Sequence, residues 1–395
     1  MSGTKTGDLA FITPAVIQWA IARASTTPEK LAKRLHAPRT AVAAWEQGKS
    51  LPTFSQAQKL AEALYIPFGY LFLSDPPLDR IPLTDFRAPL GKRITPSPEL
   101  VDLVNDVLFK HEWYREFAIQ EGATRLPFVG SFPAEGNGRV GDHIRRTLRI
   151  DEVRQRSANW SDFFRGLIRN TEAAGILVMR SGVVAGNTRR RLSAKEFRGF
   201  AICDSIVPLI FINAKDWPRS QIFTLAHELA HIWTGSTGIS NESLKDFEAT
   251  ERNPVEHFCN RTAAEALVPS ADFLTIWDET KSIRENVDDA ARHFRASTLV
   301  VLRRARDLER ISQKEYLKWY EREEHTFREG GEAQRKGGSF YNNVISRNSR
   351  TLTSVVVQGA ISGKVLYRDA ARLLNVNASA IQKVAHHLVK SKEGG

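Results

Sequence analysis

The chain has little cysteine and little methionine, two of each in 395 residues. Two thiols, Cys203 and Cys259, cannot build a disulfide framework, so stability has to come from buried apolar side chains, and a reducing compartment is expected. Long apolar runs are missing as well. The longest, residues 200–214, is broken by Asp204 and falls short of the roughly 20 residues a membrane span requires. The first residues, Met1 to Pro14, lack the basic-then-apolar pattern of a secretory leader. These absences lead us to expect a soluble, cytoplasmic protein with no membrane partner.

What the sequence does have is length and positive charge. A chain of 395 residues exceeds what one core fills, so two or three domains are expected. The net charge of +11 lies at the ends: residues 1–75 carry 8 Lys/Arg against 5 Asp/Glu, residues 303–395 carry 18 against 10, and the middle is balanced. A neutral middle suits a catalytic core acting on peptides. A basic end suits a polyanion or an acidic partner.

Turn residues and periodicity divide the chain further. Residues 1–75 read as a helix-turn-helix bundle: Thr27-Pro28 opens its second helix, Gly48 stops its third, Thr53 caps its fourth, and Asp75-Pro76-Pro77 ends it. Residues 76–140 read as a linker and a helical arm, with a helix from Pro98 to about Glu121 and a Gly-rich loop from Gly130 to Gly141. Residues 141–330 alternate helical patterns with short apolar runs at 175–179, 200–203 and 208–213, which predicts a small antiparallel sheet packed beside helices. Gly235 to Ser240 reads as a loop, and Gly330-Gly331 with Gly337-Gly338 sets off a small basic helical unit, 339–395. The fold class expected is α+β, mainly helical. An internal echo links Ala32/Leu35/Ala37/Val42, Ala291/Phe294/Ala296/Val301 and Ala371/Leu374/Val376/Ile381, which share offsets of 0, +3, +5 and +10. Such spacing fits a helix-turn-helix, and equally any two short helices joined by a tight turn.

The chemistry concentrates in His227-Glu228-Leu229-Ala230-His231. On a helix, residues four apart project about 40° from one another, so both imidazoles can reach one metal ion, while the intervening Glu228 is angled to act on a bound water as general base. The flanking residues are apolar nearly all round, so the helix is expected to be buried, where His and Glu without partners would be costly. Two His need a third ligand to leave one open position on zinc. Glu256, opening the next helix, is the choice; Glu265, nine residues later, points about 180° away. Asn260, one turn after Glu256, is placed to hydrogen-bond a ligating His or substrate, or else to pack against the facing helix. Cys259 as a thiolate would compete for zinc, but reads rather as a small hydrophobe, and His257 and His293 read as surface or core histidines unless they line the cleft and assist an oxyanion. No oxyanion donor can be chosen from sequence.

Four stretches in order, Gly199-Phe-Ala-Ile-Cys-Asp204, Pro208-Leu-Ile-Phe-Ile-Asn213, Phe223-Thr-Leu-Ala-His-Glu-Leu-Ala-His231 and Glu256-His-Phe-Cys-Asn-Arg-Thr-Ala-Ala-Glu-Ala-Leu-Val-Pro269, resemble the ImmA/IrrE family of metallopeptidases. The resemblance spans residues 160–310. It implies a zincin-like fold, Zn2+ on His227, His231 and Glu256, Glu228 as base, and a DNA-binding repressor as the protein substrate, in stress response, mobile-element control or a toxin-antitoxin module. Thr262 stands where that family usually has an aromatic or bulky apolar residue. Ala44-Trp45-Glu46-Gln47-Gly48 followed by Leu51-Pro52 is similar to Xre/Cro-type domains. Arg39, Thr40 and Gln47 are then the candidate contacts to operator DNA. Pro28-Glu29 replaces a frequent phosphate-binding Gln, which leaves a dimerisation or docking role open, with a homodimer among the outcomes. The rival reading is a DNA-binding regulator or antitoxin whose metal site is structural or vestigial.

Overall fold

A computed structural model describes residues 8–85, 96–132, 139–240, 253–330 and 339–393. Gly331, Gly337, Gly338 and parts of the Gly-rich loop and of the linker lie outside the described residues. The chain divides into two compact units, Met1–Ile81 with Pro96–Val101, and Pro82–Thr95 with Asp102–Gly395.

The first unit is helical. Helices α1 (Pro14–Arg23), α2 (Pro28–Leu35), α3 (Ala41–Glu46) and α4 (Phe54–Leu64) are followed by a 3-10 turn, Phe68–Phe72. Their apolar faces meet in one core that includes Ile17, Leu31, Val42, Trp45 and Leu60. Thr53 caps α4 as its position in the sequence suggests. Its side chain accepts from Gln56 N, and the Gln56 side chain accepts in return from Thr53 N, so two orphan amides are satisfied.

The second unit is α+β and mainly helical. Its elements in chain order are β1 (Thr84–Asp85), α5 (Pro98–Gln120, whose first turn belongs to the other unit), α6 (Val140–Thr147), α7 (Ile150–Arg156), α8 (Trp160–Ala173), β2 (Leu177–Ser181), β3 (Gly199–Ile202), β4 (Leu209–Asn213), α9 (Ser220–Thr234), β5 (Gly238–Ser240) and α10 (Pro254–Leu267). Then come α11 (Ser270–Ile276), α12 (Ile283–Phe294), α13 (Thr298–Asp307), α14 (Gln313–Gly330), α15 (Phe340–Asn348), α16 (Arg350–Ile361), α17 (Tyr367–Leu374) and α18 (Ile381–Glu393). The strands run in the order β1-β5-β3-β4-β2. As expected, β3 is antiparallel to its neighbours, here β4 and β5. The sheet as a whole is mixed, because β2 joins β4 and β1 joins β5 in parallel. The expected loop 235–240 is corrected in its second half. Gly238-Ile-Ser240 is too short to show a strand pattern by itself, and it becomes a strand by pairing between β3 and β1.

Helix α9 lies in the middle of this unit, buried from Ser220 to Trp233. A helix without a wet face cannot leave its last carbonyls to solvent, so each needs a partner. His231 O accepts from Ser236 N at 3.0 Å and from the Cys203 thiol at 3.2 Å, Ile232 O from Gly130 N at 3.0 Å, and Trp233 O from Phe132 N at 3.1 Å. Gly235 makes the turn that ends the helix, at a positive φ of 74° that favours glycine. Phe128 stacks on Trp233, and the indole N–H donates to His143 Nδ1 at 2.8 Å.

Helix α10 packs along α9, with the small residues Cys259 and Ala263 in the shared core, and α6 packs against both helices. There Gly141 has no room for a side chain, because a Cβ would stand 2.8 Å from Glu265 Cβ and 3.1 Å from Ala266 N. The edge strand β2 is covered by the C-terminal helices: Ser346 donates to Arg180 O at 3.2 Å, and Glu172 of α8 accepts from the Ser349 hydroxyl and from Arg350 N. That cover removes a free edge.

Gly141→Ala is expected to cost about 1–3 kcal/mol through overpacking against the α10 backbone. The measurement is denaturant unfolding at unchanged m-value, and an unchanged midpoint would show that α6 and α10 can move apart freely.

Candidate metal centre

Three side chains predicted from sequence to share one ion come together. His227 and His231 project from one side of α9, and Glu256 reaches them from the first turn of α10, where Asn253 caps the helix by accepting from Val255 N and Glu256 N. His227 Nε2 is 3.1 Å from Glu256 Oε2, His231 Nε2 is 3.2 Å from Glu256 Oε1, and the two Nε2 atoms are 3.0 Å apart. All three residues are buried, and among the described residues this is the one group of three or more His, Cys, Asp or Glu able to hold a metal ion.

The electrostatics of the cluster fit a cation. Among the described residues, the Glu256 oxygens are sealed from solvent and have no partner apart from the two imidazole nitrogens beside them. Two imidazole lone pairs aimed at one point repel unless a proton or a metal ion lies between them. Burial works against the Glu256 carboxylate, yet the His231 and His227 rings beside it hold its pKa well below the ordinary carboxylate range. Burial likewise opposes a charged His231. The Glu256 carboxylate, together with the hydrogen bonds the ring makes to Glu256 and to the Cys259 sulfur, outweighs it, so the pKa of the metal-free imidazole lies above the usual histidine range. The chain has gathered negative potential around two nitrogen donors. This donor set, two imidazoles and one carboxylate, suits a divalent ion such as zinc with one position left for water.

Around the ligands stand the groups that aim them. Asn260 Oδ1 lies 3.0 Å from His227 Nδ1, so the ring donates there and keeps its Nε2 lone pair for the ion. Glu228, also fully buried, accepts a short hydrogen bond from the Ser240 hydroxyl on Oε1, while Oε2 has no hydrogen-bond partner among the described residues. Burial raises its pKa. Gly199 explains how a carboxylate fits there at all: a Cβ on β3 would stand 2.7 Å from Glu228 Oε1 and 3.0 Å from Phe211 O.

Residues 171–306 match the family model of the IrrE N-terminal-like domain of the M78 peptidases, and residues 17–71 match a helix-turn-helix model. The chain joins a helix-turn-helix domain to an M78-type peptidase domain. Residues 348–387 match a domain of unknown function. No curated protein and no solved structure matches the chain.

The M78-type domain sorts the alternatives that the sequence left open. Glu265 turns away from the cluster, pairing with Arg304 and accepting from Ser270 N at 3.1 Å at the start of α11. Cys259 is buried beside His231, and burial raises the pKa of its thiol, so it packs as an uncharged group. His293 is exposed and meets the Phe294 ring edge to face. Thr262 is buried in α10. Ser240 and Gly199 were not anticipated. Ser240 lay in what reads as a Gly/Ser loop, and Gly199 in an apolar run where one glycine carries no signal of its own. In the helix-turn-helix domain, Arg39, Thr40 and Gln47 flank α3 and are all exposed. Among the described residues, no helix is long and apolar enough to cross a membrane.

Asn260→Ala is expected to weaken zinc binding by about 10–100-fold, because the His227 ring loses the partner that sets its tautomer. Competition against a chromophoric chelator reads this directly, and wild-type affinity in the variant would show that His227 is oriented by packing alone.

Proposed function

We propose that the chain is a zinc-dependent endopeptidase of the H-E-x-x-H type, acting on a regulatory protein such as a DNA-binding repressor. M78 peptidases are generally zinc-dependent. The observation that carries the reading is the convergence of His227, His231 and Glu256 beside a buried carboxylate, Glu228, that has one oxygen committed to Ser240 and one uncommitted. His227, His231 and Glu256 would hold the ion. When bound, zinc supplies a Lewis acid that favours deprotonation of water and polarises a peptide carbonyl.

The remaining work belongs to the chain's own side chains. Glu228 takes the proton of the attacking water through Oε2 and returns it to the leaving amine. Its hydrogen bond from Ser240 fixes the carboxylate in one rotamer, so the accepting oxygen does not have to be found by rotation during the reaction. Asn260 keeps the His227 ring in register. Burial excludes bulk water from all of them.

The helix-turn-helix domain supports a working place near operator DNA, with Arg39, Thr40 and Gln47 as its contacts. Two free thiols support a reducing, cytoplasmic setting. Together these features favour a peptidase in a regulatory circuit, of the kind found in stress response, mobile-element control or toxin-antitoxin modules.

Glu228→Gln is expected to abolish cleavage of a co-expressed partner while leaving zinc content at the wild-type level. Cleavage that persists in Glu228→Gln overturns the mechanism, and a variant defective only in operator binding would favour a regulator with a structural or vestigial site. Ser240→Ala is expected to keep its zinc and lose about tenfold in kcat, the size of one hydrogen bond to a charged group.

A further inference from the structure

The basic end of the chain contains the third copy of the helix pair seen in the sequence echo, and the structure separates the three copies by the helix on the far side of the turn. Helix α17 ends on Asn375 in the left-handed region at φ 51°, as α2 ends on His36 at φ 52°. The backbone bonds across these two turns correspond. Ala37 N donates to Ala32 O and Ala41 N to Pro38 O, each at 2.9 Å; Val376 N donates to Ala371 O at 3.0 Å and Ala380 N to Asn377 O at 2.8 Å. Both helix pairs therefore share one local geometry, and the first of them lies within the segment that matches a helix-turn-helix model.

The turn alone does not discriminate, since α4 and α12 also close on left-handed residues, Tyr65 and Arg295. The next helix does. After Arg295, α13 is buried at every residue from Thr298 to Ala305 and can present nothing to a ligand. After Asn375, α18 is amphipathic. Ile381, Val384 and Leu388 are buried, and Gln382, Lys383, His386 and Val389 are exposed along the opposite face. Its outward side chains near the N-terminal end are hydrogen-bonding ones, which is the end a recognition helix turns to base edges. Lys364 and Arg368 are exposed at the entrance to α17, the helix that in such a pair crosses the phosphate backbone, and Arg368 lies 3.2 Å from its neighbour Asp369. Residues 339–395 carry 8 Lys/Arg and 2 Asp/Glu, so little acidic surface opposes a polyanion.

We propose that α16, α17 and α18 form a second helix-turn-helix, which binds duplex DNA through the exposed face of α18, with Lys364, Arg368 and Lys383 on phosphates. Duplex DNA is favoured over an acidic protein because Lys364 and Arg368 lie beside an exposed helix face that carries Gln382 and Lys383, within a helix pair whose turn matches that of the first, the arrangement that a groove between two phosphate strands requires. This second site is separate from the peptidase reading, and its test needs neither zinc nor cleavage.

The experiment is fluorescence anisotropy of the full chain with a short labelled duplex of mixed sequence, over a range of salt. Arg368→Glu/Lys383→Glu is expected to lose about tenfold or more in affinity and to reduce the slope of log affinity against log salt by about 2. Lys314→Glu/Lys318→Glu, the same charge change at exposed positions of α14, is expected to lose less than about twofold. Unfolding midpoints are measured in parallel, and Arg368→Ala/Lys383→Ala replaces the reversals if they disturb folding. Equal losses in the two charge-reversed proteins, or no loss in Arg368→Glu/Lys383→Glu, overturn the proposal. So does competition by polyglutamate as effective as that by unlabelled duplex at equal charge, which would assign the surface to an acidic protein.

Discussion

Two imidazole nitrogens 3.0 Å apart, facing a carboxylate in a site closed to solvent, form the constraint around which the second unit is organised. Such a group is unfavourable by itself. Each member has given up water, and their lone pairs cannot satisfy one another without a positive charge among them. The cost is accepted where a cation returns it, and the surroundings are arranged so that no other group competes. Glu265 is drawn off by Arg304, Cys259 stays an uncharged thiol, and Asn260 takes the outer nitrogen of His227.

That arrangement sets demands that propagate through the fold. The helix carrying the ligands is buried from Ser220 to Trp233, so its C-terminal carbonyls are met by the segment 130–132, by Ser236 and by the Cys203 thiol. A carboxylate one residue from a ligand points toward the sheet, so the strand facing it must be bare, which Gly199 provides, and must bring a donor next to it, which β5 provides through Ser240. The short β5 thus pairs with β3 for reasons of chemistry as much as of sheet stability. On the other side, α10 can lie close to α9 because the residues between them are small.

Much of this was legible in the residues. The i, i+4 histidines, the apolar surroundings of their helix and the acidic residue opening the next helix are local signals, and local signals are readable when the period of the element is known. The choice of Glu256 rested on its place at the start of the next helix, on the face that carries Cys259, Asn260 and Ala263, with helical phase setting Glu265 opposite; the structure brings the first to the histidines and turns the second away. What escaped was non-local. Ser240 matters through a strand pairing between residues about forty apart in the chain, Gly199 through an approach across two layers, and the parallel joins of β1 and β2 through crossovers that a short apolar run does not encode. The sequence echo shows the same limit. Its three copies have equal spacing, and only burial separates α13, locked in the core, from α18, which presents a polar face.

The central claim is that His227, His231 and Glu256 hold one divalent ion. Elemental analysis of protein purified without added metal tests it most directly: about one equivalent of zinc in the wild type and almost none in His227→Ala is the result this account predicts. A wild type that remains metal-free at saturating zinc, or a His227→Ala protein that keeps its full equivalent, would contradict it.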